Sequence, residues 1–435
     1  MRVLAAKFEL VWTVTEPREI PPSLATDAAP NAALLTEIAT ARPFLVDVCR
    51  AGDGLPGLGP TDILHAGPPL AGWHEACGPL QGAVIGTLIL KGIAKDIAAA
   101  AALCESGAVT LRSAQDFAAL GTFGNVIVRD TMLLVVENRH NGSRAYAALN
   151  EGRGRALRYG SNAPETLARL TWLEGRFADV LGTAVRAVGG VDLFAILEQA
   201  LHMGDEGHSR QKAASSLLLA ALAPAVVETS FDSALVSKVL QFLATNDFFF
   251  LPLAMAAAKS AMAGAALGGS TLVTAIAFNG VRCGIRVSGC GDRWFTCPVP
   301  RITGRYFEPY SEVDASPVIG DSEIVETIGL GAFAVASAPA LARYAGGTVN
   351  DTIALTTLMY EITAGEHPRF TIPALGFRGA PFGIDVRKVV ASKILPAFNT
   401  GIAHHMPGLG QIGAGYGRVP LSCFTQAAEE LETEK

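Results

Sequence analysis

Five side chains that can bind anions or move protons lie within nine residues of the stretch QALHMGDEGHSR. They are His202, Asp205, Glu206, His208 and Arg210, in a chain of which only 17% is charged. A histidine exchanges a proton near neutral pH, and a guanidinium holds a carboxylate or phosphate bidentately. The stretch predicts a site for an anionic substrate, with His208, Asp205 and His202 as catalytic candidates and Arg210 as a binding residue.

The elements on either side of this stretch must position these groups. Upstream, VDLFAILEQALH has the periodicity of a helix packed on one face, and Gly204 can adopt the left-handed conformation that ends it. Asp205 is a favourable N-cap for a second helix that runs to Pro224. His208 would then occupy the third helical position, where the helix dipole lowers its pKa. The alternative, a capped helix junction with solvated charges, is equally compatible with these residues.

A second polar group follows the apolar run MLLVV and contains Asn138, Arg139 and Arg144. A strand that is apolar throughout is buried on both faces, and α/β sheets bind ligands at the carboxyl ends of such strands. Arg139 and Arg144 are therefore predicted to bind a carboxylate or phosphate, with Asn138 beside them. The alternative is a solvated turn rich in surface arginine.

Three other polar loops contribute the remaining substrate-binding candidates, which are Asn246, Asp292, Arg293, Asn399 and His404. For Asp292 and Arg293, a β-bulge or tight corner explains the neighbouring glycines equally well. Gly408, Gly410 and Gly413 match the GxGxxG spacing of dinucleotide-binding proteins. Too little chain follows them for a βαβ unit, so we expect a glycine loop and no cofactor.

Composition excludes several functional classes. A net charge of -6 without a basic face argues against nucleic acid as a partner. Seven cysteines without CxxC spacing are typical of reduced, cytoplasmic thiols, and the evenly spaced Cys283, Cys290 and Cys297 favour core packing. The N-terminus lacks a signal-peptide pattern. The uncharged stretch 327–342 is too short to span a membrane and predicts a buried helix.

The length of 435 residues favours two or three domains in a mixed α/β protein. We expect an N-terminal extension (1–30), an α/β domain (31–162), an all-helical domain (163–268) and a C-terminal α/β domain (269–435). A hairpin is predicted at Asn279-Gly280. The site would lie in the cleft among these portions, with the stretch around Asp205 near the loops of Arg139, Arg293 and His404.

Ten motifs occur in the order found in one family. They are LVDV, ILHAGPP, CGPLQGAVIG, VENRHNGSRAYAALNEG, LHMGDEGHSR, TNDFFFLPLAMAAAK, GIRVSGCGDRWFTCP, IGDSEIVET, RGAPFGIDVRKVV and NTGIAHHMPGLGQIGAG. From residue 31 to the end the chain resembles the AllG family, which includes a subunit of the bacterial oxamate carbamoyltransferase of allantoin catabolism.

The resemblance implies carbamoyl chemistry, in which oxalurate and phosphate exchange with oxamate and carbamoyl phosphate. It also implies a hetero-oligomer with other subunits, one of them similar to acyl-CoA synthetases, or a homo-oligomer. Both reactants are small anions, which suits arginines and a histidine that accepts a proton.

Two other functions remain open at this point. An amidohydrolase-like enzyme could bind a metal through His202, Asp205 or Glu206, and His208, although a break at Gly204 would separate these ligands. A scaffold subunit without catalysis is the third possibility, but it has no need for dense polar groups at strand ends.

Overall fold

The computed structural model describes residues 28–152, 154–263 and 268–433. The helices are α1 (Ala28–Thr40), α2 (Ala51–Gly54), α3 (Gly78–Leu90), α4 (Ile97–Glu105), α5 (Pro164–Trp172), α6 (Ala178–Ala187), α7 (Leu193–His202), α8 (Lys212–Val227), α9 (Ser233–Thr245), α10 (Leu251–Ala261), α11 (Leu341–Ala345), α12 (Val349–Met359), α13 (Val386–Ser392) and α14 (Leu421–Thr433). The predicted extension (1–30) lies, up to residue 27, outside the described residues.

The strands form several small sheets, which confirms the mixed α/β class. They are β1 (Pro43–Arg50), β2 (Asp62–His65), β3 (Thr110–Ser113), β4 (Ala119–Leu120), β5 (Met132–Asn138), β6 (Arg144–Ala148), β7 (Val191–Asp192), β8 (Val273–Asn279), β9 (Arg282–Val287), β10 (Phe295–Pro298), β11 (Thr303–Tyr306), β12 (Ile319–Gly320), β13 (Thr363–Ile372), β14 (Arg378–Ile384), β15 (Ala397–Ala403) and β16 (Gln411–Arg418).

The run MLLVV forms β5, the middle strand of a sheet with the order β4-β6-β5-β1-β7. Leu134 and Val136 join one hydrophobic core, whereas Leu133 and Val135 join another on the opposite face. Burial on both faces explains the continuous apolar run, as predicted. Both neighbours of β5, the strands β1 and β6, pair antiparallel with it. The polar residues after β5 therefore occupy a hairpin turn.

Helices α6, α7 and α10 pack on this first sheet, and α8 packs on α6 and α7. All the helices from α5 to α10 share a core with the sheet. Helix α10 is buried on almost every side because its many alanines let strands and helices approach closely. It packs on β5 and β6 on one side and on the segment Ser322–Ile328 on the other. The short strand β7 pairs with β1, so the block 163–268 is not helical throughout.

The C-terminal part builds a second core between small antiparallel sheets and the helices α12 to α14. One sheet has the order β10-β9-β8-β12, and β11-β16-β15 form another. The predicted hairpin is confirmed, since β8 and β9 pair antiparallel around Asn279 and Gly280.

The segment 327–342 is buried as predicted except at Pro339 and Ala340, but the predicted helix over its length is wrong. Short 3-10 turns occupy Ser322–Ile328, Gly331–Phe333 and Val335–Ser337. Gly329 and Gly331 both adopt positive φ where the first of these turns ends and the second begins, and this interrupts any continuous helix.

None of the helices in the described ranges has the length and apolar character needed to cross a lipid bilayer.

Candidate active site

A cavity of about 610 Å³ lies where the first sheet's loops, the stretch after α7 and the β15–β16 hairpin meet. Four basic residues line it: Arg155, Arg158, Arg210 and Lys212. The apolar and aromatic part of the wall contains Phe123, Tyr159, Phe248, Leu251, Phe307, Leu341, Tyr344 and Leu409. Its volume falls in the range of small-molecule sites, and its charges favour an anion.

The stretch between α7 and α8 is an irregular loop, residues 203–211, which we call the elbow loop. The prediction that a helix starts at Asp205 is wrong, since α8 begins at Lys212. The Glu206 carboxylate instead accepts hydrogen bonds from the amides of His208, Ser209 and Arg210. Because these amides bind a buried carboxylate, they do not open an α-helix and do not face a ligand.

His208 lines the cavity and pairs with a carboxylate from a distant part of the chain. Its Nδ1 lies 2.9 Å from Glu326 Oε1, and both side chains are buried. Within the described ranges, its Nε2 has no hydrogen-bond partner. Burial lowers the pKa of His208. The predicted direction is therefore confirmed, but burial replaces the helix dipole as the cause.

Burial also raises the pKa of Glu326 well above its ordinary value. Glu326 Oε1 additionally accepts a hydrogen bond from the Ala332 amide at 3.2 Å. The adjacent Glu323 is fully buried, and burial raises its pKa to about 8. His208 and Glu326 can thus exchange a proton across one hydrogen bond, while His208 exchanges another with a ligand.

Arg158 is the buried cation of the cavity. Its side chain is 6% exposed, and Nη2 donates to the Gly152 carbonyl at 2.7 Å. Nη1 makes no hydrogen bond within the described ranges and lies 3.9 Å from Glu151 Oε1. A buried guanidinium nitrogen without an acceptor is costly, so a ligand oxygen would satisfy it.

Glu151 holds the Arg158 segment in place. Its carboxylate is fully buried and accepts the amides of Leu157 and Arg158 at 2.8 and 3.0 Å. Helix α3 packs behind this segment, where Gly82 lies against the Gly160 carbonyl. A Cβ on Gly82 would lie 2.4 Å from that oxygen, so the close approach of α3 to this segment requires glycine at position 82.

Three predicted site residues lie directly behind the lining. Asp205 accepts from the Ala214 amide at 2.9 Å and lies 3.4 Å from Arg210 Nε, which itself lines the cavity. Asn246 binds Asn150, another lining residue, at 3.2 Å. Asn399 donates to Glu206 Oε1 at 2.9 Å. These contacts place all three as supports for lining residues.

The structure does not bring the predicted hairpin residues to the cavity. Arg139 is exposed, donates to the Gly189 carbonyl at 2.5 Å and stacks over Phe44. Arg144 is exposed and binds Glu137 at 2.6 Å. Asn138 is buried and donates to the Ser260 carbonyl at 3.3 Å.

Four other candidates also lie outside the lining. Asp292 is almost fully exposed beside Arg286, and Arg293 pairs with Glu430 on the surface. His202 is exposed at the end of α7, where Nε2 contacts Thr371 Oγ1 at 2.9 Å. His404 is buried, and its Nδ1 accepts from the Met406 amide at 2.9 Å.

The ligand atoms proposed for a metal do not converge. His202 contacts Thr371, Asp205 contacts α8, and Glu206 binds backbone amides of the elbow loop. Within the described ranges, the one group of three His, Cys, Asp or Glu ligands close enough for a metal consists of cysteines outside this cavity. The geometry therefore gives no support to the amidohydrolase-like metal site.

Comparison with known proteins identifies the family. The family model described as oxamate carbamoyltransferase subunit AllG matches residues 109–322. Over 409 residues the chain is 43% identical to the oxamate carbamoyltransferase subunit AllG of Escherichia coli (strain K12), covering 93% of this chain and 97% of that protein. The chain belongs to the AllG family.

Two further proteins are similar to this chain over most of its length. The uncharacterized protein YahG of Escherichia coli (strain K12) is 40% identical over 401 residues, covering 92% of this chain and 85% of YahG. A crystal structure of a conserved protein of unknown function from Enterococcus faecalis V583 superposes with a TM-score of 0.92 at 40% identity. That superposition covers 95% of this chain and 99% of the other.

Sequence reasoning missed Glu326, Glu323, Glu151 and Arg158. Glu323 and Glu326 occur in IGDSEIVET, one of the motifs that carries the AllG resemblance. Asp321 of the same motif accepts the amides of Gly67 and Gly121, both at 2.9 Å. Three acidic residues within six positions, in a chain where charge is scarce, were the available signal.

Proposed function

We propose that this chain carries the carbamoyl-transfer site of an oxamate carbamoyltransferase, exchanging oxalurate and phosphate with oxamate and carbamoyl phosphate. The observation that carries the proposal is one cavity in which the His208–Glu326 pair and four basic residues occur together. The family relationship to an oxamate carbamoyltransferase subunit of Escherichia coli supports the same chemistry. The other subunits of the assembly, including one similar to acyl-CoA synthetases, belong to the proposal as partners.

The chemistry assigns one role to the His208–Glu326 pair and another to the basic residues of the cavity. In the direction of oxalurate synthesis, the amide nitrogen of oxamate attacks the carbamoyl carbon of carbamoyl phosphate. The bond from that carbon to the phosphate oxygen breaks, and inorganic phosphate leaves. The proton lost by the nitrogen passes to His208 Nε2, while Glu326 holds the proton on Nδ1. Removing this proton is what makes the weakly nucleophilic amide reactive.

Arg158, Arg155, Arg210 and Lys212 would bind the phosphate and the oxamate carboxylate. Guanidinium groups suit these planar or tetrahedral anions because they donate two parallel hydrogen bonds. The apolar wall around Phe248 and Leu251 limits water, so these charges stabilise the developing negative charge more strongly than they would in water. We therefore assign the anion contacts to these residues and not to Arg139 or Arg144.

The experiment compares His208→Ala with unmodified protein in the assembled complex, with carbamoyl phosphate and oxamate as substrates and oxalurate measured by mass spectrometry. We expect turnover to fall by about 10²- to 10⁴-fold, the range of general acid–base catalysis, with the complex still assembled. Arg144→Lys is the matched control and should retain full turnover.

Full activity of the His208→Ala complex would overturn the proposal and favour a scaffold role for this chain. Loss of assembly would be recognised by gel filtration. In that case His208→Gln, which keeps the size and one polar nitrogen, repeats the test.

A further inference from the structure

Three cysteines from distant parts of the chain meet in the second core. Cys283 on β9 and Cys297 on β10 are direct cross-strand partners, and Cys423 lies on α14, which packs on both strands. Their sulfur atoms all lie within 4.8 Å of one another, and the Cys297 and Cys423 sulfurs are 2.8 Å apart. None of the three lines the cavity described above.

Within the described ranges, every His, Cys, Asp or Glu side chain that joins this cluster is a thiol. Thiolates are soft ligands that select copper(I) and zinc over magnesium, calcium or manganese. For metal–sulfur bonds of about 2.3 Å, three sulfurs around one ion lie about 4 Å apart. The observed spacing is compatible with this geometry once side-chain rotation moves the Cys297 and Cys423 sulfurs about 1 Å further apart.

The cluster also has the surroundings of a structural metal site. All three side chains are buried, while Cys297 keeps 7% exposure on β10, the edge strand of its sheet. An ion could therefore enter from the edge and then be shielded from water. Bound there, it would tie the C-terminal helix α14 to the sheet.

We propose that Cys283, Cys297 and Cys423 form a structural site for a thiophilic d10 metal ion, with copper(I) preferred to zinc. Three sulfurs complete a trigonal copper(I) site, whereas structural zinc sites almost always have four ligands. Within the described ranges, no fourth His, Cys, Asp or Glu joins the group. The site is independent of the proposed carbamoyl transfer. Its alternative is plain packing of small apolar thiols in a core.

The test titrates the reduced full-length protein with copper(I) without oxygen, and separately with zinc, in the presence of a phosphine reductant that prevents disulfides. Three quantities are measured: the ultraviolet thiolate-to-metal charge-transfer band, the metal retained after desalting, and the thermal midpoint. We expect one copper(I) per chain and a midpoint that rises by a few degrees, because the ion binds the folded state.

Cys423→Ser should lose the band and the midpoint shift, whereas Cys104→Ser, a buried cysteine elsewhere, should keep both. If Cys423→Ser does not fold, Cys297→Ser replaces it. The site is overturned if unmodified protein retains no ion, or if the variant of the cluster retains as much as Cys104→Ser. Retention of zinc in preference to copper(I) overturns the stated ion.

Discussion

At the scale of single residues, the candidate site depends on two buried ionisable pairs that face one cavity. His208 pairs with Glu326, and Arg158 lies beside Glu151. Charges buried in this way are costly unless they are paired or meet a ligand. Among the residues that the structure describes, one nitrogen of Arg158 and Nε2 of His208 have no hydrogen-bond partner, so each pair leaves one group for a substrate.

Glu326→Gln tests the proton-holding role of the carboxylate. Because burial raises the pKa of Glu326, its charged form appears only as the pH rises above the ordinary carboxyl range, and the transfer rate should rise with it. Glutamine has no proton to lose, so the rate of the variant should not change with pH over that window. This rate should be lower than that of the unmodified chain by up to about 10²-fold. The measurement is kcat against pH, with Glu137→Gln on the surface as control. If the rate of Glu326→Gln still rises with pH over that window, this role is refuted.

Arg158→Lys tests the anion contact. Lysine keeps the charge but loses the planar fork, so phosphate affinity should fall about 10- to 100-fold, the cost of a charge-assisted hydrogen bond or two. Isothermal titration with phosphate measures the affinity. The control is Arg144→Lys, because Arg144 is exposed and pairs with Glu137. This variant should bind phosphate as tightly as the unmodified chain. Equal affinity in both variants would remove Arg158 from the site.

At the scale of elements, two packing contacts determine where the cavity lies. Helix α3 supports the segment that carries Arg158, through the contact of Gly82 with Gly160. The elbow loop is held by Glu206, whose carboxylate also accepts from Asn399 on β15. The loop is further tied to the 3-10 segment by a hydrogen bond from the Gly331 amide to the Glu206 carbonyl at 2.7 Å. The cavity wall thus combines elements from both cores.

Gly82→Ala should displace α3 from the Arg158 segment. The added Cβ would meet the Gly160 carbonyl oxygen at 2.4 Å and Pro407 Cβ at 2.7 Å, and relief requires backbone movement. We expect a loss of about 1–3 kcal/mol in unfolding free energy, as for an overpacked core, together with weaker phosphate binding. Urea unfolding measures the first quantity.

Gly175→Ala is the matched control for this substitution, because nothing lies within 4 Å of a Cβ at that helical position. It should be neutral or slightly stabilising, since alanine favours helices. Equal destabilisation by both substitutions would mean that close packing at Gly82 is not the cause.

At the scale of the whole molecule, buried carboxyl groups should make stability depend on pH. Burial raises the pKa of Glu323 to about 8, so the folded state binds a proton that the unfolded state releases above its ordinary pKa of about 4.5. The contribution of this proton to the free energy of unfolding is fully present below the pKa of Glu323 in the unfolded state. It is lost as the pH rises through 8. Between pH 6.5 and 8 the loss should be about 2 kcal/mol.

Glu323→Gln should remove that part of the dependence, because the amide keeps the shape without a titrating proton. Urea unfolding of both proteins at several pH values measures the difference, with Glu366→Gln, an exposed pair with Arg378, as control. A variant whose stability falls between pH 6.5 and 8 as steeply as that of the unmodified chain would contradict this assignment.

Local patterns in the sequence were sufficient for several features of the molecule. The hairpin at Asn279-Gly280 and the buried strand β5 follow from turn chemistry and from the apolar run, which act over a few residues. Ordered motifs along the chain were sufficient for the AllG family. His208 and Arg210 also stood out, because charged residues are rare in this chain.

Contacts between distant residues were decided only by the tertiary structure. A strand buried on both faces does not encode the direction of its neighbours, so MLLVV could not reveal that Arg139 and Arg144 lie on a hairpin outside the cavity. Glu326 is 118 residues from His208, and Cys423 is 126 residues from Cys297. In the elbow loop, the buried Glu206 carboxylate competes for amides that a helix would use, and its burial depends on β15 folding over it. Burial, which sets the pKa of His208 and Glu326, exists only once both cores have packed around them.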